Sequence, residues 1–123
     1  MNRLPECEHD IMMTIWDMTE DKNSSVSCDD IIKKLDRDWT KTTVLNFLTR
    51  LCNRCFLTCK NEHRINLYTP AVDKEDYLKS ESESFFKRMH HGSLTSLLSS
   101  LYDGKSLSKD DIDELKKFIE ETK

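Results

Sequence analysis

A mainly α-helical chain carrying one small β-hairpin is what the sequence predicts, and three observations predict it. Two Gly and two Pro in 123 residues are too few for a many-turned all-β architecture. Apolar residues recur at intervals of three and four through most of the chain, the spacing of a buried helix face. Two short β-prone runs interrupt that pattern once, Phe56-Leu57-Thr58-Cys59-Lys60 and Ile65-Asn66-Leu67-Tyr68-Thr69. The length allows one domain or two small ones. With 34% of residues charged and no apolar run of about 20, a membrane-spanning helix is excluded.

The first helix opens at Leu4-Pro5-Glu6. Pro5 suits a first helical turn, and Glu6, Glu8 and Asp10 suit the positive end of the helix dipole. Ile11, Met12, Ile15 and Trp16 then form its apolar face. The polar run Thr19-Glu20-Asp21-Lys22-Asn23-Ser24 reads as a loop, and Ser25-Val26 as a very short strand. Ser27, with Asp30 three residues on, caps a second helix whose stripe is Ile31, Ile32 and Leu35. Thr40 caps a third, running to about Cys55. Val44, Leu48, Leu51 and Cys55 fall on one side of it, with Phe47 at the margin, and Thr42, Asn46, Thr49, Arg50 and Asn53 on the other. That polar side is rich in hydrogen-bonding groups and singly charged, as a helix facing base edges would be, although a plain solvent-facing helix has the same outline.

The two β-prone runs flank Asn61-Glu62-His63-Arg64, a hairpin with a basic tip. Three helices followed by such a hairpin compose a winged helix-turn-helix module, whose third helix enters the major groove of DNA. Net charge is -4 for the whole chain, yet residues 37–70 hold Arg37, Lys41, Arg50, Arg54, Lys60 and Arg64 against Asp38 and Glu62, leaving -8 for the remainder. A +4 window inside an acidic chain is a localised footprint for a polyanion, or a chance cluster of solvated charges.

Pro70 marks a boundary, giving a DNA-binding domain over 1–70 and a helical dimerisation domain over 71–123. The second region holds three amphipathic patterns. A long helix opens at Asp73-Lys74-Glu75 and carries Tyr77, Leu78, Phe85, Phe86 and Met89; a short one carries Leu94, Leu97, Leu98 and Leu101. Ser108 and Asp111 cap the last, with Ile112, Leu115, Phe118 and Ile119. So few residues rarely enclose a good core alone. Their apolar faces are therefore expected to meet a second copy, making a homodimer, with packing onto the first module as the alternative.

Five cysteines, Cys7, Cys28, Cys52, Cys55 and Cys59, with no secretory leader in view, fit a reducing cytoplasm rather than a disulfide scaffold. Cys52-x2-Cys55-x3-Cys59 invites a thiol- or metal-switch reading but matches no common four-ligand spacing, so packing thiols are the preferred reading and no metal or cofactor is expected. Catalysis is not expected either. His90-His91 lacks a third ligand, and no Gly-rich phosphate loop or nucleophile motif occurs. A winged helix serving only protein–protein docking is the remaining rival.

Taken together, several fragments resemble the penicillinase-repressor family (BlaI/MecI), to which CopY-type copper-responsive repressors are related. They are Glu8-x2-Ile11-Met12-x2-Ile15-Trp16, Asp38-Trp39-Thr40-x2-Thr43-Val44-x3-Leu48-x-Arg50-Leu51 and Leu67-Tyr68-x-Pro70-x-Val72. In the C-terminal half, Gly92-Ser93-Leu94-x-Ser96-Leu97 and Leu107-Ser108-x2-Asp111-Ile112-x-Glu114-Leu115 are similar too. The resemblance implies a homodimeric repressor on a dyad-symmetric operator, controlling antibiotic-resistance or related stress genes. It also implies release through a membrane sensor protease. The family's scissile Asn-Phe bond corresponds to Ser100-Leu101, a departure at both positions. Relatives usually carry Gly where Cys55 stands, which implies strain or an altered helix ending. The C-terminal Cys-x-Cys pairs of copper sensors are absent.

DNA contact is expected from three groups of residues. Thr40, Lys41, Thr42 and Thr43 lie at a helix N-terminus able to hold a phosphate. Asn46 and Arg50 suit adenine and guanine edges. Arg54, Lys60, His63 and Arg64 suit phosphate or the minor groove, Arg54 being read equally as the partner of a nearby acid. Trp39 is expected to staple the start of the third helix rather than stack on a base.

Overall fold

The computed structural model describes residues 3–20 and 24–122. Its elements are α1 (Glu6–Met18), β1 (Val26–Ser27), α2 (Cys28–Lys34), α3 (Lys41–Asn53), β2 (Leu57–Glu62), β3 (Ile65–Pro70), α4 (Lys74–His90), α5 (Leu94–Asp103) and α6 (Lys109–Thr122). The chain is mainly helical with one small antiparallel sheet, as its apolar spacing predicts. Part of the expected loop, residues 21–23, lies outside the described residues.

Two compact units divide the chain, Met1–Ser80 and Glu81–Lys123. In the first, the periodic apolar residues of α1, α2 and α3 meet in one core. Ile11, Met12, Ile15, Ile31, Leu48 and Leu51 are all fully buried. Each such side chain contributes about 1.5–3 kcal/mol by leaving water. The sheet closes the core with strand order β1-β3-β2. Val26 pairs with Tyr68, and β2 pairs with β3 from Leu57↔Pro70 to Glu62↔Ile65. β1 therefore stands one residue later than the Ser25-Val26 expected. The hairpin tip is shorter than expected as well, because Asn61 and Glu62 remain in the ladder and only His63 and Arg64 turn the chain.

Local chemistry sets the helix ends. The Ser27 hydroxyl accepts from the Asp30 N–H (3.2 Å) while the Asp30 carboxylate accepts from the Ser27 N–H (3.3 Å), closing the expected capping box. Helix α3 stops through paired backbone bonds, Phe56 N–H to Leu51 C=O (2.9 Å) and Cys55 N–H to Cys52 C=O (3.1 Å). Cys55 adopts φ 65° there. This is the Schellman ending that a glycine would complete without strain. Cys55 thus retains the glycine geometry and bears its steric cost, with its side chain exposed.

The start of α4 belongs to the first unit. Tyr77 is 2% exposed, its ring lies 5.5 Å from Trp16 and 5.6 Å from Phe56, and its hydroxyl accepts from the Leu4 N–H. Trp16 Nε1 donates to the Val72 carbonyl at 2.9 Å. Leu78 packs on the same core. Two residues expected on a dimerisation face are therefore committed to internal packing, because an inward-facing stripe does not say which module it faces.

The second unit is different in kind. Ser93 caps α5 through the Ser96 N–H, and Ser108 and Asp111 form the expected capping box on α6. Neither α5 nor α6 has a buried residue. Phe86, Leu97, Leu98, Leu101, Ile112 and Leu115 are half-buried. Phe85, Met89, Leu94, Tyr102, Phe118 and Ile119 are exposed, Phe118 to 63%.

Candidate nucleic-acid interface

The candidate interface is built from α3 and the β2–β3 hairpin. Val44, Leu48 and Leu51 anchor the inner face of α3, and a rigid inner face turns the remaining positions outward together. Thr42, Asn46, Thr49, Arg50 and Asn53 are all exposed, so the structure brings together the polar face read from the spacing. At the start of the helix, the Thr40 hydroxyl accepts from the Thr43 N–H at 3.2 Å and lies 2.9 Å from the Thr43 hydroxyl. Both hydroxyls thus serve the cap, which leaves the Lys41 and Thr42 N–H groups as the orphan donors at this terminus. The Thr49 hydroxyl donates to the Leu45 carbonyl (3.0 Å).

Three of the expected cationic contacts are already held by acids. Lys41 Nζ lies 3.0 Å from Asp29, whose hydrogen bond and charge raise the lysine pKa. Lys60 Nζ lies 3.1 Å from Glu62. Arg54 Nη1 lies 3.5 Å from the buried Glu8. Outside the expected contacts, Arg37 pairs with Asp10. Arg50 and Arg64, by contrast, have no ion pair among the described residues. The positive window is partly neutralised from within, and these two guanidinium groups are its uncommitted cations.

Arg50 is braced by aromatic rings. Its guanidinium sits 5.7 Å from the Phe47 centroid, within cation–π range. Phe47 in turn meets Trp39 at 5.4 Å, and Arg37 lies over the Trp39 ring at 5.5 Å. Trp39 is half-buried in this row, packing within the protein. Sequence reasoning placed Phe47 at the margin of the core and missed its part in bracing Arg50. The one available signal was the Phe47-x2-Arg50 spacing, which puts the two on neighbouring turns.

The hairpin tip is equally defined. His63 and Arg64 have φ 52° and 68° and join the paired residues Glu62 and Ile65, as in a two-residue type I′ turn. One step back, Asn61 Nδ2 donates to Asn66 Oδ1 at 2.9 Å. His63 and Arg64 are exposed at the apex beside Ile65, which is 54% exposed.

Among the described residues no three His, Cys, Asp or Glu side chains are grouped to hold a metal ion. All five thiols are free. Burial raises the Cys52 pKa, with a smaller contribution from Cys59, and burial likewise raises Cys28. Cys28 lies in the core and Cys52, half-buried, packs against it, whereas Cys55 and Cys59 are exposed. Among the described residues, no helix is long and apolar enough to cross a membrane.

Comparison with known proteins places this geometry in context. Residues 4–121 match the family described as penicillinase repressor. The chain is 32% identical to the penicillinase repressor of Bacillus licheniformis, over 100% of this chain and 96% of the relative. It is 26% identical to the methicillin resistance regulatory protein MecI of Mammaliicoccus sciuri, over 94% and 92%. Among solved structures, the DNA-binding domain of the repressor BlaI matches with a TM-score of 0.50 and 31% identity, covering 61% of this chain and 88% of that one.

Proposed function

The chain belongs to the penicillinase-repressor family, and from that premise we propose that it represses transcription by binding operator DNA through its winged helix, with no chemistry on the DNA. Its relatives are regulators of penicillinase and methicillin resistance, so genes of β-lactam resistance are the expected targets. The observation that carries the site assignment is the exposed Asn46/Arg50 face of α3, with Arg50 braced by Phe47 and free of any acid among the described residues.

In this reading Asn46 and Arg50 contact base edges. The Lys41 and Thr42 N–H groups hold a phosphate, with Thr40 and Thr43 shaping the terminus. Arg64 and His63 approach the backbone or minor groove. Lys41 and Lys60 contribute through exposed pairs that DNA phosphate can replace, since such pairs hold little energy. Arg50→Ala is expected to cost about 1–3 kcal/mol of discrimination at one base pair. Arg64→Ala is expected instead to weaken all duplexes alike and to lower the salt slope by about 0.9. Titration of duplexes selected from a random pool, between 50 and 200 mM salt, separates the two. An Arg50→Ala protein with unchanged base preference overturns the assignment.

Homodimerisation through the second unit is part of the same proposal, supported by the apolar side chains that α5 and α6 leave uncovered. The repressor then acts in the cytoplasm on two half-sites. Release by a membrane sensor protease would have to act within a helix. Ser100-Leu101 lies inside α5, where the Ser100 hydroxyl donates to the Ser96 carbonyl at 3.0 Å, so cleavage there requires the helix to open.

A further inference from the structure

One buried charge plays no part in the interface described above. Glu8, on the inward face of α1, is 1% exposed, and its Oε1 has no hydrogen-bond partner among the described residues. Its ion-pair partner among them is Arg54 Nη1 at 3.5 Å. Arg54 is the C-cap that closes the recognition helix α3, and its N–H donates to the Arg50 carbonyl at 3.0 Å. The residue that ends the helix carrying Asn46 and Arg50 is thus also the counter-ion, among the described residues, of a carboxylate on another helix.

We propose that Arg54 stays off the DNA and, with Glu8, forms an ion-pair latch that fixes the end of the recognition helix against α1, making both of them positioning residues for base readout. The inference rests on the DNA-binding reading. The physical reason is asymmetry. A carboxylate sealed from water is costly unless paired, so a swing of Arg54 toward a phosphate strips Glu8 of the ion pair it has among the described residues. Arg54 itself is 39% exposed and tolerates loss of the pair far better. The latch acts at the end of α3 from which the chain turns through Cys55 into β2, so its loss loosens the angle between recognition helix and hairpin.

A two-residue cycle tests this in the full chain, using Arg54→Gln, Glu8→Gln and the double variant. Urea unfolding is measured together with binding to a duplex selected from a random pool by the wild-type protein and to an unselected duplex. The expected order of unfolding midpoints puts Arg54→Gln lowest, with Glu8→Gln higher. The double variant should lie above Arg54→Gln, because the second change removes the orphaned charge. In binding, Arg54→Gln should lower the ratio of selected to unselected affinity while leaving the salt slope at the wild-type value. Adding Glu8→Gln should recover part of that ratio.

A salt slope reduced by about 0.9 in Arg54→Gln, with the unfolding midpoint unchanged, makes Arg54 a phosphate ligand and overturns the proposal. Additive effects in the double variant overturn it as well, and so does a lowered midpoint with an unchanged affinity ratio. If the wild-type protein selects no duplex at all, the DNA-binding reading fails, while the unfolding arm still decides whether the pair is coupled.

Discussion

Cys55 shows how one residue can hold a conformation that its own side chain resists. It occupies the left-handed position at the end of α3 with φ 65°, where an L-residue other than Gly costs about 1–2 kcal/mol. Replacing it with Gly removes that strain but adds about 0.4–1 kcal/mol of unfolded-chain entropy. Cys55→Gly is therefore expected to raise stability by about 0.5–1 kcal/mol, read as a higher urea midpoint. Base preference should not change, because Cys55 lies outside the proposed reading face. At this scale the sequence is candid about type and silent about partners. That Asn46 and Arg50 share an exposed face was legible from spacing alone. That Lys41 would meet Asp29, or Arg54 meet Glu8, was not, because each acid lies on a different helix and nothing local couples them. Lys60 and Glu62 form the instructive exception. They share one face of β2 at a separation of two, so their pairing could have been read from strand periodicity.

Among the elements, the caps were read most securely because their chemistry is confined to four residues. Ser27 and Ser108 both close the boxes expected of them. The Asp111 carboxylate accepts from the Ser108 N–H at 2.9 Å, and this bond, followed by the one with the Ser108 side chain, holds its pKa below the ordinary 3.8. A depressed carboxyl pKa means that the charged form favours the folded helix. Its contribution is complete above the unfolded value and is lost as pH falls through the lower folded one. Acidification from about pH 5 to about pH 2 should thus fray the start of α6. In Asp111→Asn the α6 amide signals should show less of this pH-dependent change, which NMR titration can follow. The strands were placed less accurately, β1 by one residue and the hairpin tip by two, since β propensity marks a run without fixing where the ladder ends. The turn was the harder part to foresee, because neither His63 nor Arg64 is a residue that a type I′ turn favours.

Over the whole molecule, the order of three helices and a hairpin was legible. The allegiance of α4 was not, because its first turns fill the first unit through Tyr77 and only its later turns belong to the second. The proposal of a paired assembly is tested at Phe118, which is 63% exposed and carries little folding energy in the single chain. Phe118→Glu is expected to turn a dimer into a monomer in sedimentation velocity. It should weaken binding to a duplex with two half-sites about 34–36 Å apart and leave binding to a single half-site unchanged. A monomeric wild-type protein at micromolar concentration contradicts the assembly.

That α5 and α6 bury no side chain completely has a consequence for how such a protein would be deployed. In the proposed paired assembly the second unit would gain stability by mass action, so the melting temperature should climb with protein concentration. While monomer predominates, the abundance of paired chains grows as the square of the total. Halving the cellular supply would then remove three quarters of the species able to span both half-sites, a steep dose response that requires no further ligand.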